Sequence, residues 1–223
     1  MSGIELVALD MAGTMVRDDG LVVAAARRTL EELGLPAEEV RRGEEYVIAT
    51  MGQSKIEVFT ALVGARASDA NLAFESHYLQ VVGERGVSEI PGARTTVESL
   101  VARGYQVALT TGFSPVTREA LIDVLGWADL FAVRVSPADA GRGRPAPHML
   151  WTCALRLGLS GAAALAVVGD TASDMQAGRR ARAGLCVGVL TGTDDRARLL
   201  AHGADEVLDS VSDLLALASL DGR

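Results

Sequence analysis

Hydrophobic and polar positions along this 223-residue chain change period near residue 88. Between residues 21 and 86 apolar side chains recur at three- and four-residue spacing. They run Val23, Leu30, Leu33, then Val40, Tyr46, Val47, then Ile56, Phe59, Leu62, then Leu72, Phe74, Tyr78, Val81. That period puts them on one face of successive helices, and Gly34-Leu35-Pro36, Gly52 and Gly64 divide the pattern into three or four. Outside this stretch, short aliphatic runs predict strands at 4–9, 105–110, 130–135, 164–168, 185–190 and 206–208. Helical patterns separate them at 95–103, 116–125, 148–157, 174–183 and 196–202. Continuous apolar runs alternating with helices predict a parallel sheet covered on both faces. The expected fold is α/β, a doubly wound (Rossmann-like) parallel sheet core with an inserted α-helical cap domain. The core takes residues 1–16 and 88–223 and the cap 17–87, with Pro91-Gly92 marking the return to the core. A helical lobe inserted there is placed to close over the strand ends and exclude water.

Composition narrows the partners. The chain is 49% hydrophobic with a net charge of −8, and its arginines are dispersed. Without a basic stripe to displace phosphate counterions, no nucleic-acid partner is expected. A small anionic substrate remains compatible, held by local amides and one or two cations. Cys153 and Cys186 are the only cysteines. Both lie in apolar surroundings, which suggests buried thiols in a reducing cytoplasm. The chain enters its first strand within a few residues and carries no bilayer-length apolar run, so a cytoplasmic protein without signal peptide or membrane association is expected.

The strand ends carry the chemistry. Asp10 closes the first apolar run and is followed by Met11-Ala12-Gly13-Thr14. Open α/β sheets place their ligands at that carboxyl edge. A carboxylate there serves as nucleophile or metal ligand, and Thr14 offers a hydroxyl to a phosphoryl oxygen. The second strand ends in Thr110-Thr111-Gly112, hydroxyls and turn amides suited to a phosphoryl group. Arg144 sits on a Gly-Pro-flanked turn, and Asp170 and Asp174 lie four apart across a strand-to-helix turn. Hard oxygen donors of this kind suit Mg2+. Taken singly, Arg144 reads equally as a loop arginine, Asp170 as a turn residue and Asp174 as a helix N-terminal charge. The informative observation is the ordered set of four. Of the 21 basic residues, one is lysine, Lys55, in Met51-Gly52-Gln53-Ser54-Lys55-Ile56. A lysine amine can lose its proton and form an imine, which arginine cannot, although an exposed lone lysine is the plainer alternative. Ala12, two residues past Asp10, leaves no carboxylate there to protonate a leaving group.

The order D-x-x-G-T, a strand ending in Thr, a basic residue and G-D-T-x-x-D resembles the haloacid dehalogenase-like hydrolase superfamily over nearly the whole chain. The resemblance implies Asp10 as a nucleophile forming an aspartyl-phosphate that water hydrolyses. It also implies Mg2+ on Asp10, the Ala12 carbonyl and Asp170 with Asp174 in support, and phosphoryl binding by Thr14, Thr111, Gly112 and Arg144. Ala12 and the M-G-x-x-K-I segment are similar to the phosphonatase (phosphonoacetaldehyde hydrolase) branch, in which a cap lysine forms a Schiff base beside Met51 and Gly52. An imine at Lys55 turns a carbanion leaving group into a neutral enamine, which accounts for Ala12. Lys55 must then be partly unprotonated, through desolvation or a neighbouring cation. Three positions depart from that branch: Met11 replaces a tryptophan, Val58 a histidine three past the lysine, and Phe113 a tyrosine. His148, beside the Arg144 loop, is a better-placed substitute than His77, but both read first as surface or helix-start residues. Trp127 and Trp151 are expected to pack. The expected activity is Mg2+-dependent C–P cleavage of phosphonoacetaldehyde or a related oxo-phosphonate. The alternatives are a Mg2+-dependent phosphatase of a small phosphorylated metabolite, a 2-haloacid dehalogenase and a non-catalytic phosphate-binding protein. The resemblance also suggests a homodimer through the cap, which an exposed apolar stripe on the helix after Leu21 would support.

Overall fold

Strand β1 (Leu6–Asp10) is buried along its whole length, and its side chains alternate between two apolar cores. Val7 and Leu9 enter one cluster and Leu6 and Ala8 the other, the two-residue period of a pleated strand covered on both faces. The same alternation divides β2 (Gln106–Thr110), β4 (Leu165–Gly169) and β5 (Leu185–Val189), whose Val107, Val168 and Val187 join one cluster while Ala108, Val167 and Cys186 join the other. The computed structural model describes residues 3–220. With β3 (Val133–Val135) and β6 (Glu206–Leu208), the strands form one six-stranded parallel sheet in the order β3-β2-β1-β4-β5-β6. The winding reverses between β1 and β4, and such a switch point opens a crevice outside the strand ends. This is the doubly wound, Rossmann-like sheet that the patterning predicted.

Four helices fill the long connection from β1: α1 (Leu21–Glu32), α2 (Ala37–Ala49), α3 (Lys55–Val63) and α4 (Ala67–Arg85). α1 packs on α2 and α4, and α3 packs on α4. Val22, Leu30, Val47, Phe59 and Phe74 belong to the same apolar cluster as Val7 and Leu9, so one core runs from these helices onto a face of the sheet. The helical period holds for Phe74, Tyr78 and Val81, all buried on α4. It fails for Leu72, two positions from Phe74 and thus on the opposite side of the helix, and for Tyr46 and Ile56, which are also exposed. The exposed stripe sought on α1 is absent among the described residues, because Leu21, Val22, Ala25, Ala26 and Leu30 are all buried within the monomer.

α5 (Ala93–Ala102), α6 (Pro115–Leu125), α7 (Pro137–Ala140), α8 (His148–Arg156), α9 (Ala172–Ala181) and α10 (Arg196–Ala201) complete the fold. The run at 130–135 pairs only over Val133–Val135, because Phe131 turns aside to pack edge-on against Trp127, 5.9 Å between ring centroids. α7 went unpredicted. It rests on a capping box between Ser136 and Asp139 rather than on apolar period. α9 begins two residues earlier than its apolar period indicated, because Thr171 and Asp174 form a capping box there. Both cysteines are free and buried, which lifts the thiols to about 12 for Cys153 and about 11 for Cys186. Among the described residues, no helix is long and apolar enough to cross a membrane.

Phe74 lies at the centre of an aromatic group with Phe59, Tyr78 and Phe113, and Phe113 belongs to the loop after β2. Phe74→Ala is therefore expected to cost about 3–5 kcal/mol in urea unfolding, through lost transfer energy and the cavity left behind. A cost below 1 kcal/mol would mean that α4 is not anchored through this ring.

Candidate active site

β1 and β4 deliver Asp10 and Asp170 to neighbouring strand ends at the switch point, and the first turn of α9 brings Asp174 beside them. One oxygen from each of the three buried carboxylates lies within 4.8 Å of the others. Arg144, also buried, reaches into the group: its Nη1 donates to Asp174 Oδ1 and lies 2.5 Å from Asp10 Oδ1. The second contact has the distance of an ion pair without hydrogen-bond alignment, so Asp10 Oδ1 accepts no hydrogen bond. Asp170 is fixed from two sides, accepting from Thr193 N at 2.9 Å and Thr14 Oγ1 at 3.3 Å. Asp174 Oδ2 accepts from Thr171 N at 3.1 Å and Thr171 Oγ1 at 2.5 Å. Gly13 is needed beneath this cluster: its φ is +83°, and a side chain there would overlap the Asp170 carboxylate.

Burial raises the Asp10 carboxyl from 3.8 to about 6; Arg144 opposes the rise and Asp174 adds to it. Asp170 is held well above the usual carboxylate range by burial, then by repulsion from Asp10 and Asp174. Arg144 stays charged despite its own burial, because both aspartates stabilise the cation. Three carboxylates against one guanidinium leave an excess of buried negative charge and one orphaned carboxylate oxygen. A hard divalent cation fits that donor set.

The wall facing this cluster comes from the helical segment. The loop between α2 and α3 lies across the strand-end loops at close range. A side chain at Gly52, where φ is +79°, would collide with Thr171, and one at Gly112 would reach to 2.8 Å from the Gln53 carbonyl oxygen. Lys55, the first residue of α3, is 6% exposed. Burial lowers its pKa; Asp18 opposes this most strongly, and Arg144 adds to the lowering. Lys55, Met51 and Gly52 share one cavity of about 670 Å³ with Asp10, Ala12, Thr111, Gly112, Arg144 and Asp170.

Not every anticipated residue faces that cavity. Thr14 is fully buried beneath it, its hydroxyl committed to Asp170, so it orients a carboxylate instead of presenting a hydroxyl to a ligand. Asp174 lies behind the wall, bonded to Arg144 and capping α9. Neither His77 nor His148 lines the cavity: His77 Nε2 pairs with Glu32 at 2.6 Å, and His148 packs against Trp151. Val58 is buried in the apolar cluster. Trp127 packs as expected, whereas Trp151 is 46% exposed on the outer side of α8. Asp18, Gln53 and Thr193 line the cavity and had not been anticipated. The Asp18-Asp19-Gly20 turn ahead of a helix was the one available signal for the first of them.

Residues 4–182 match the haloacid dehalogenase-like hydrolases as a family. The chain belongs to that family. This haloacid dehalogenase-like hydrolase is 29% identical to the phosphonoacetaldehyde hydrolase of Bacteroides fragilis (strain YCH46), over 99% of this chain and 97% of that one. It is 28% identical to the plasmid-encoded phosphoglycolate phosphatase of Cupriavidus necator, over 95% and 91% respectively. In fold it matches the crystal structure of a hydrolase from Pseudomonas syringae, with a TM-score of 0.82, 22% identity and 96% coverage of each chain.

The raised carboxyls give the hydrolase a pH signature. Between about pH 4 and 6 the folded state keeps an Asp10 proton that the unfolded chain has already lost. The cation-free protein therefore loses stability as pH rises through that window, and Asp170 extends the window upward. A divalent cation binds the deprotonated carboxylates. Added Mg2+ is thus expected to raise the melting temperature by several degrees at pH 7.5 and by much less at pH 5. A shift of equal size at both pH values, measured by scanning calorimetry, would place the cation elsewhere.

Proposed function

We propose that this hydrolase cleaves the C–P bond of phosphonoacetaldehyde or a closely related oxo-phosphonate. The observation that carries the reading is the one lysine of the chain, buried on the wall of the cavity that also holds Asp10, with its ammonium destabilised by burial. An exposed lysine left by chance would have neither property. On this reading residues 17–87 act as the cap, and Met51 and Gly52 shape the substrate space around Lys55. Lys55 attacks the aldehyde and, with loss of water, forms an iminium. The Asp10 carboxylate then attacks phosphorus as the C–P bond breaks. The departing electron pair enters a carbon–carbon double bond, leaving a neutral enamine on Lys55. A proton from water added at the enamine carbon regenerates an iminium, and water then hydrolyses the iminium to acetaldehyde and free Lys55 and the aspartyl-phosphate to phosphate. Arg144, Thr111 and the Gly112 turn hold the phosphoryl oxygens. Asp10, the Ala12 carbonyl and Asp170, with Asp174 in support, would hold Mg2+, which would supply charge neutralisation at the phosphoryl group.

The full-length similarity to a phosphoglycolate phosphatase favours a second reading, a phosphomonoesterase acting on a small phosphorylated acid. Ala12 weighs against it, because an alkoxide leaving group requires a proton donor near that position. The assay that separates the two is acetaldehyde release from phosphonoacetaldehyde with Mg2+, followed through alcohol dehydrogenase. Wild type is expected to turn over on the order of once per second or faster. Lys55→Arg should melt like wild type and release no acetaldehyde above background. An enzyme that hydrolyses phosphate esters but leaves phosphonoacetaldehyde intact would overturn the C–P reading in favour of the phosphatase.

A further inference from the structure

Imine formation moves protons as well as forming a C–N bond, and none of the three histidines lines the cavity to carry them. The acids and bases around Lys55 can be taken one at a time. Asp10 is the nucleophile and lies against Arg144. Glu75 of α4 is engaged at the start of α6, accepting from Ser114 N at 3.1 Å, Ser114 Oγ at 2.9 Å and the Thr117 hydroxyl. The Tyr78 phenol is 1% exposed and held well above its ordinary range by burial. Arg144 stays charged and has no proton to lend at neutral pH. Asp18 remains. It is half-buried, lines the cavity with Lys55, and its carboxylate is anchored where Oδ1 accepts from Val22 N at 3.2 Å in the first turn of α1.

We infer that Asp18 is the acid–base residue of imine formation at Lys55. The inference rests on the imine reading above and adds a catalytic residue to it. Burial raises the Asp18 carboxyl, which suits a group that must accept and release protons. Among charged neighbours, Asp18 acts most strongly on Lys55 and Lys55 most strongly on Asp18. Asp18 and Lys55 share the cavity without direct ion-pair contact, so protons pass between them through one water, and the sequence begins with both groups ionised. Asp18 takes a proton from the Lys55 ammonium, and the free amine attacks the carbonyl carbon while Asp18 returns the proton to the carbonyl oxygen. Asp18 then removes one N–H proton from the resulting carbinolamine and delivers it to the hydroxyl, which leaves as water. The products are the iminium, one water and an ionised Asp18, so ammonium and aldehyde are balanced against iminium and water.

The test uses whole enzyme, phosphonoacetaldehyde and sodium borohydride, with the trapped mass on the Lys55 peptide read over time. Asp18→Asn keeps an acceptor for Val22 N, since Asn caps helices as well as Asp, but it cannot carry the proton. Wild type is expected to trap the adduct at Lys55, and Asp18→Asn to trap it about 100- to 10,000-fold more slowly at an unchanged melting temperature. Asp18→Ala should be similarly slow and should accelerate as formate is added, a response that a merely structural role would not produce. Trapping by Asp18→Asn within about twofold of wild type, or a slow Asp18→Ala indifferent to formate, would overturn the role of Asp18 and leave the imine reading standing. No adduct in wild type would overturn both.

Discussion

Burying three carboxylates, two at the ends of neighbouring strands and one in the first turn of α9, is the constraint around which this protein is built. Each loses its hydration there, and each repels the others across less than 5 Å. Such a cluster is tolerable only if the surroundings repay the loss, and the structure does so in layers. Arg144 contributes the countercharge, Thr193 and Thr171 contribute backbone donors, and Thr14 contributes a hydroxyl. The compensation is incomplete, since one Asp10 oxygen keeps no hydrogen bond and two of the carboxyls are pushed upward. A centre left short of positive charge suits a hard divalent cation.

The second half of the chemistry is supplied by a different part of the chain. Lys55 starts a helix in the segment between β1 and α5, whereas Asp10 and Asp170 stand at the ends of sheet strands. Their placement in one cavity depends on how that segment is fastened. Glu75 ties α4 to the N-terminus of α6, Phe74 and Tyr78 pack on Phe113 of the loop after β2, and the Gly52 loop lies directly on Thr171. Each tie ends within a few residues of a group that faces the cavity. The same contacts that hold the helices down keep water away from Lys55, and its lowered pKa follows from that burial.

Membership in the haloacid dehalogenase-like family establishes a hydrolase and its fold, but the relatives divide between acting on a phosphonate and acting on a phosphate ester. In physical terms the division concerns how the leaving group is stabilised. An alkoxide needs a proton and a carbanion needs an electron sink. Ala12 supplies no proton, and Lys55 is a group able to become a sink. On the reading proposed above, that choice lies with Ala12 and Lys55 rather than with the carboxylate cluster.

The sheet and the edge that carries the site were legible in the pattern of residues. Strand-length apolar runs ending in Asp10, Thr110 and Gly169-Asp170 can be buried only in a parallel sheet, and that sheet collects its polar ends on one side. The sequence also singled out Lys55, because a lone amine among twenty guanidiniums is visible in composition. It did not reveal which way each side chain faces once helices pack. Thr14 points beneath the site to Asp170, and Asp174 stands behind Arg144. Nor did it reveal Asp18 or Glu75, which owe their positions to contacts between segments far apart in the chain. Periodicity fixes local faces. Which face meets which, and therefore which charges are stripped of water together, is decided only by tertiary packing.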